Sequence, residues 1–266
     1  MPKTQPKNAT VSELTGLHLY HAGWSNCSMR VRMTLEEKSL AWTSHHLNTR
    51  VGEHITPEYF GINPKGLVPV LVHDGVVWTE SVDIIRYLDD TYPEPRLMPS
   101  DKRQQAELSD WMCLASDIHV TAIKTYIYSS RPKNASRKTL DELERYRKLQ
   151  TNEELLAFHA KCSSHEGISA AERASAEQLI HDAFSKLDAR LARSPWLVGE
   201  RFTLADITWI PLHYTLERAR FSLQDYSNVG NWAQAIAKRP SFKRAVLDWF
   251  DGPGEAETVT IVPPGT

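Results

Sequence analysis

The stretch 92-YPEPRLMPSD-101 divides the chain into two unlike parts, because its three prolines cannot continue a helix and the periodicity changes across them. Ahead of it, short strand-like runs alternate with helical ones. 17-LHLY-20 and 41-AWTSHHL-47 read as strands flanking an amphipathic run from Ser28 to Lys38. 68-VPVLV-72 and 76-VVWT-79 read as a hairpin about 73-HDG-75, where Asp-Gly supplies the positive φ values a tight turn needs. A helix is predicted from Ser81 to Tyr92, with Ile84, Ile85 and Leu88 on one face. Beyond the prolines everything from Lys102 to Phe250 reads as helix, with helices expected at 102–129, 171–193, 229–238 and 241–250. The best-marked start is 202-FTLADI-207: Thr203 can cap, Asp206 can reach back to the cap amide, and Phe202 and Ile207 are placed as a hydrophobic staple.

The expected division is an N-terminal extension over 1–14, a mixed α/β domain over 15–93, a linker over 94–101, a helical domain over 102–250 and a tail over 251–266, extended or loosely held. The segment 131-RPKNASRKTLDELERYRKLQ-150 looks inserted; its seven Lys/Arg against three Asp/Glu fit a solvated helix face. With 266 residues, 41% hydrophobic, the chain is long enough to bury a sizeable core. A formal charge of −2 gives no global reason to expect nucleic acid or membrane as a partner. No apolar run reaches membrane-spanning length and 1-MPKTQPKNATVSEL-14 lacks the apolar middle of a secretory signal, so the expected compartment is the cytoplasm. Three cysteines, Cys27, Cys113 and Cys162, with no close pair, argue against a disulfide framework. The histidines show no metal-ligand spacing, and the rings of 45-HH-46 point to opposite faces of a strand; no metal site is expected.

Three short stretches could carry chemistry. In 25-SNCSMRVR-32, a helix starting near Asn26 to Ser28 puts Ser25 and Cys27 beside unpaired amides and the positive end of the helix dipole, where anions are favoured. A serine hydroxyl there can donate to another molecule's thiolate; the bland alternative is that Ser25 or Asn26 is a cap and Cys27 a small buried filler. In 67-LVPVL-71 a proline inside a strand marks an edge, a bulge or a cis peptide, and Pro69 could leave the backbone of Val68 open to an extended peptide ligand. In 79-TESV-82, Glu80 and Ser81 open a helix, where a hydroxyl and amides suit a carboxylate and a Glu suits an ammonium; a simple helix cap is the alternative.

Taken in order, Ser-x-Cys at a helix start, Val-Pro, Glu-Ser before a helix, and an all-helical half with a Thr-x-x-Asp box resemble the glutathione transferase superfamily over about Leu17 to Phe250. The resemblance implies an α/β thioredoxin-like N-terminal domain that binds glutathione and an all-α C-terminal domain that forms the electrophile pocket. It implies a cis Pro69 with Val68 pairing to the cysteinyl backbone, Asn26 beside the ligand, and Glu80 and Ser81 on the γ-glutamyl group. Within the family, 25-SNCSMRVR-32 is similar to the motif of the zeta class, which includes maleylacetoacetate isomerase, and to that of tetrachlorohydroquinone reductive dehalogenases; in both, the residues matching Ser25 and Cys27 are the functional pair. 211-PLHYTLER-218 echoes the isomerase pattern and sets Arg218 where an arginine meets substrate carboxylate, but Thr215 replaces its asparagine. The segment between about Ser130 and Ala170 looks like that of the dehalogenases and of bacterial lignin β-etherases instead. A small, aromatic electrophile and a homodimer are the partners this implies. Trp111, Ala115, His119, Ala122 and Tyr126 share a helical stripe, and Trp111, His119 and Tyr126 are candidate substrate contacts; interdomain core is the alternative. Lys65, in 63-NPKG-66, reads as a loop-surface lysine with contact to the glycyl carboxylate as a second option.

Overall fold

A computed structural model describes residues 3–4, 7–131, 138–250 and 258–261. They group into two compact units, one of Met1–Arg96, Leu149–Thr151 and Ala237–Thr266, the other of Leu97–Lys148 and Asn152–Ile236.

The first unit is a mixed sheet with helices. Its strands are β1 (Lys3–Thr4), β2 (Leu17–His21), β3 (Trp42–His46), β4 (Val70–His73), β5 (Val76–Trp78) and β6 (Thr258–Ile261), in the order β1-β5-β4-β2-β3-β6. Among the described residues only β2 and β3 pair in parallel, so they need a crossover, and α2 (Asn26–Glu37) supplies it. Short α1 (Ala9–Ser12) and α3 (Pro57–Phe60) and the longer α4 (Ser81–Thr91) complete the part before the prolines. β4 begins at Val70, directly after Pro69, which has no N–H to give the ladder. The hairpin turn is the expected one: Asp74 and Gly75 both have positive φ, 48° and 75°. Gly75 is also required by space, since a Cβ there would lie 2.3 Å from the Ser12 carbonyl oxygen.

Burial explains the helix pattern. α4 buries Ile84, Ile85 and Leu88, the predicted face. α2 is buried almost all round; Met29, Val31, Met33 and Leu35 meet no solvent, and neither do the polar Arg32 and Ser28. Lys38, just past α2, is another buried cation. It is held by Asp89 at 2.6 Å and by the carbonyls of Tyr92 and Pro95 at 2.6 and 3.0 Å, which fastens the end of α2 to the end of α4.

Described residues near both ends of the chain join the sheet. Near the start of the chain Lys3–Thr4 pairs with β5, and Val11 is buried in one cluster with Tyr59, Ile62, Val70, Val72 and Val77. Within the tail, Thr258–Ile261 pairs antiparallel with β3, Trp42 opposite Ile261; residues 251–257 and 262–266 lie outside the described residues. Residues from Ala237 to Phe250 group with the first unit and not with the helices before them. The reason is charge and packing on α2: Arg239 donates to both Glu37 carboxylate oxygens at 2.7 and 2.6 Å, and Arg244 donates to Glu36.

The second unit is helical, and among its described residues no strand interrupts. α5 (Lys102–Ile118) runs into a π-helical segment, His119–Lys124, and then α6 (Thr125–Ser129). Within the inserted-looking segment, residues 132–137 lie outside the described ones; α7 (Leu140–Leu149) buries only Tyr146, as a solvated helix does, and α8 (Glu153–Ser163) follows. α9 (Ala170–Leu191), α10 (Leu204–Arg218) and α11 (Ser227–Ala237) complete the unit. The capping box at α10 is present. Asp206 accepts from the Thr203 N–H at 2.9 Å and its hydroxyl at 3.0 Å, from the Leu197 N–H at 3.1 Å and from Trp232 Nε1 at 2.8 Å. Phe202 and Ile207, the proposed staple, are both buried.

His213 in α10 makes a pH prediction. It is 4% exposed, and burial pushes its pKa down to about 4, although the carboxylate of Glu217 lies 3.4 Å away and favours the charged ring. A folded pKa below the unfolded 6.5 means that the unfolded chain binds the extra proton. Stability from this group is whole above pH 6.5 and is lost as pH falls towards 4, about 2 kcal/mol of it by pH 5. Urea melts at pH 7.5 and pH 5 on the wild type and His213→Gln should show a smaller acid loss in the variant. Equal losses would remove the assignment.

Candidate active site

The sheet register brings the three candidate stretches together. Tyr20 pairs with Val70 and Leu71 with Trp78, so the end of β2, the start of β4 and the end of β5 share one edge of the first unit. Ala22–Ser25, Val68–Pro69 and Thr79–Ser81 therefore emerge side by side.

Ser25 is the N-cap of α2. Its φ and ψ are −81° and 117°, and its Oγ accepts the Ser28 N–H at 3.2 Å. The hydroxyl hydrogen remains a donor, and Ser25 is half-buried, with Cys27 likewise half-buried two residues on. Capping and a chemical role are thus not rivals here: the same oxygen that ends the helix sits at its positive pole. Asn26, the first helical residue, is buried. The Val68–Pro69 peptide is cis, as the resemblance implies; Val68 is partly exposed and Pro69 buried. The loop before it is ordered by two donors to the Leu67 carbonyl, Tyr59 Oη at 2.7 Å and Asn63 Nδ2 at 2.8 Å.

Glu80 has φ 65°, a value a non-glycine residue rarely adopts. It stands at the N-cap of α4 without a side-chain cap bond, which leaves the first amides of that helix to an outside acceptor. Its carboxylate meets Lys65 Nζ at 2.5 Å, both groups about half exposed. An exposed pair of that kind contributes about 1 kcal/mol or less, so an incoming ammonium can replace the lysine. Ser81 is buried, and its Oγ accepts from Arg30 Nη1 at 3.4 Å. Arg30, one turn along α2 from Cys27 and 1% exposed, thus joins the thiol end of the site to the Glu80–Ser81 end. Burial holds its pKa below the usual guanidinium value, and the Cys27 side chain acts in the opposite sense.

Several supporting residues are not evident from the pattern of 25-SNCSMRVR-32. Ser28 Oγ accepts the Ala22 N–H at 3.3 Å and so folds the turn ahead of Ser25. His46 accepts the Gly23 N–H on Nε2 at 3.2 Å, which puts its own proton on Nδ1. His21 accepts from Arg32 on Nδ1 at 3.0 Å and donates from Nε2 to Ser44 Oγ at 2.8 Å. Its pKa lies well below the usual value, through burial first and the Arg32 charge second. His45, on the opposite face, stacks on Tyr20 and meets His18 at 2.9 Å. Gln150 donates to the Lys65 carbonyl at 2.6 Å, a link to the loop before Pro69 that nothing in its sequence context announces. Two arginines separated only by Val31, in a run otherwise rich in apolar residues, are the one signal that could have flagged Arg30 and Arg32.

The candidate substrate residues belong to the helical unit. Trp111 is half-buried on α5 and its carbonyl accepts from Trp209 Nε1 at 2.9 Å. His119 opens the π segment, half-buried; Tyr126 is buried, with Phe221 edge-on at 4.9 Å and the Arg173 guanidinium 5.0 Å over its ring. Arg218 is exposed in the last turn of α10. Among the described residues no three His, Cys, Asp or Glu gather as metal ligands, and no helix is long and apolar enough to cross a membrane.

A thioredoxin-like sheet whose crossover helix presents Ser-x-Cys at its N-terminus, with a second helix start and a cis-proline beside it, together with a helical unit, is the architecture of a glutathione-dependent enzyme class. Family models agree: residues 24–91 match the glutathione S-transferase N-terminal domain and 114–240 its C-terminal domain. The chain is 30% identical over 233 residues to the maleylacetoacetate isomerase of Pseudomonas aeruginosa, covering 86% of this chain and 95% of that one. It is 26% identical over 253 residues to glutathione S-transferase TCHQD of Arabidopsis thaliana, covering 89% and 91%. Among solved structures, the β-etherase LigF from Sphingobium sp. strain SYK-6 aligns with a TM-score of 0.79 at 25% identity, over 87% of this chain and 98% of that one. The chain belongs to the glutathione S-transferase family, an enzyme family whose co-substrate is glutathione.

Proposed function

We propose that the protein uses the glutathione thiolate to displace a leaving group from a small, aromatic electrophile, as in thiolytic cleavage of a β-aryl ether or in dehalogenation. One observation carries the reading: Ser25 and Cys27 open α2 on the same sheet edge as Val68, Glu80 and Ser81, with Arg30 bridging the two helix starts. Ser25 donates to the thiolate sulfur while the helix N-terminus favours its negative charge. Asn26 lies beside it, the Val68 backbone pairs with the cysteinyl unit, and Glu80 and Ser81 take the γ-glutamyl ammonium and carboxylate. Trp111, His119, Tyr126 and Arg218 are the proposed contacts of the electrophile. The likeness to the β-etherase supports ether cleavage in particular.

A second reading, a glutathione-dependent cis–trans isomerase, is supported by the 30% identity to a maleylacetoacetate isomerase, against which Thr215 stands. An isomerase returns its glutathione. Incubation with glutathione and aromatic ethers, halogenated hydroquinones and maleyl compounds, with mass spectrometry of every product, separates the two. Glutathione consumed with no ether or halide lost would sink the displacement reading. A cytoplasmic homodimer is part of this proposal; a sedimentation experiment that finds monomer removes the second half of it.

The γ-glutamyl assignment predicts that Glu80→Ala weakens glutathione binding by about 1.5–3 kcal/mol, the worth of a charged hydrogen bond. Titration calorimetry giving the wild-type affinity would discard it.

A further inference from the structure

Arg32 meets no solvent, yet all three of its guanidinium nitrogens are engaged. Nη1 donates to the Ala22 carbonyl at 3.1 Å and to His21 Nδ1 at 3.0 Å, Nη2 to the Gly23 carbonyl at 3.1 Å, and Nε to the Ala245 carbonyl at 2.7 Å. Two of these acceptors form the turn that leads into Ser25. The fourth bond reaches a π-helical stretch, Lys243–Leu247, near the end of the described helices. Contact there is close. A Cβ on Gly23 would lie 2.2 Å from the Trp249 carbonyl oxygen, and the Trp249 ring packs edge-on against His21 at 4.6 Å and 5.6 Å from the Arg32 guanidinium. The same stretch is fastened to α2 through Arg244 with Glu36, and Arg239, four residues ahead of it, pairs with Glu37.

We propose that Arg32 is a positioning residue: with residues 240–249 as its far anchor, it fixes the Ala22–Gly23 turn and thereby the place and direction of the Ser25 hydroxyl. The assignment deepens the glutathione transferase reading and rests on it. A buried cation with backbone acceptors on two sides is a rigid fork, and lysine, one donor point on a flexible stem, cannot reproduce it. A displacement of the turn by about 1 Å is enough to cost a catalytic hydrogen bond about a hundredfold in rate. Glutathione itself is expected to bind nearly as before, because Glu80 and Ser81 hold its other end.

The test compares wild type, Arg32→Lys, Ser25→Ala and the double variant. Arg32→Lys should lower kcat at least tenfold with the calorimetric affinity for glutathione within about threefold, and in the double variant it should add nothing to Ser25→Ala. Hydrogen exchange of the Gly23–Asn26 amides should be faster in Arg32→Lys, with α4 amides unchanged. Losses that multiply in the double variant, or unchanged exchange at Gly23–Asn26, overturn the assignment. If Arg32→Lys does not fold, Gly23→Ala decides: it forces the turn off the Trp249 carbonyl, and so moves one of the acceptors of Arg32, while leaving the buried side chain itself unchanged. It should slow turnover as Ser25→Ala does, and wild-type turnover in Gly23→Ala overturns the proposal. A wild-type protein with no glutathione-dependent turnover defeats the functional reading instead, and the exchange measurement still judges Arg32.

Discussion

Replacing Ser25 with alanine is expected to slow glutathione-dependent turnover by about 10- to 150-fold, the equivalent of one hydrogen bond to a charged group of about 1.5–3 kcal/mol. Ser25→Ala also removes the N-cap of α2, a stability loss of about 1 kcal/mol, so Ser25→Gly serves as the control. Glycine costs a cap only a few tenths of a kcal/mol, and the rate should still fall. Cys27→Ser should change turnover by only a few-fold if the enzyme simply displaces a leaving group. In a reductive reaction the Cys27 thiolate attacks the sulfur of the glutathione conjugate. The carbon–sulfur bond breaks, the carbon takes the electron pair and a proton, and a second glutathione resolves the mixed disulfide, leaving glutathione disulfide. Cys27→Ser would then stall and accumulate conjugate. Conjugate in that variant, beside reduced product in the wild type, would replace displacement with reduction.

The largest stability effect is expected at Asp206. Its carboxylate is fully buried, and burial raises its pKa while the Leu197, Trp232 and Thr203 donors pull it down. Asp206→Ala leaves those donors without an acceptor in three places at once: the loop at Leu197, the start of α10 and Trp232 on α11. A loss of about 3–5 kcal/mol follows, or about 10 °C or more in melting temperature for a unit of this size. A thermal melt within 2 °C of wild type would show that the box is dispensable. Because the sheet unit makes none of these bonds, glutathione affinity per folded molecule should be kept.

Much of this architecture is legible in the residues themselves. The period-2 runs, Asp-Gly turn, Ile84–Ile85–Leu88 face and Thr203–Asp206 box are local signals, decided by neighbours within a few positions, and each appears where expected. What is not legible depends on partners far along the chain. Nothing near Arg32 says that its acceptor is the carbonyl of Ala245, nor does Gln150 declare Lys65. Histidine spacing excludes a simple ligand motif but cannot say that His46 holds the Gly23 amide. The edge strands Lys3–Thr4 and Thr258–Ile261 are two and four residues long, too short to be separated from loops although Thr258–Ile261 is β-branched throughout. At the site, the residue types suggest the roles proposed for Ser25, Cys27, Glu80 and Ser81, whereas the bond from Arg30 to Ser81 is visible only in the folded chain.

The reach of Arg32 also bears on how such a chain is made. Its bond to Ala245 spans 213 residues, and Glu37 waits 202 residues for Arg239. On the ribosome β1 to β5 emerge first, but the crossover helix among them keeps two carboxylates and a guanidinium without their far-side partners while the whole helical unit is synthesised. That later unit is almost contiguous in the chain, but it too is closed by distant partners: Trp209 on α10 donates to the Trp111 carbonyl on α5, 98 residues earlier. The first part of the chain to be born is therefore the last to be finished.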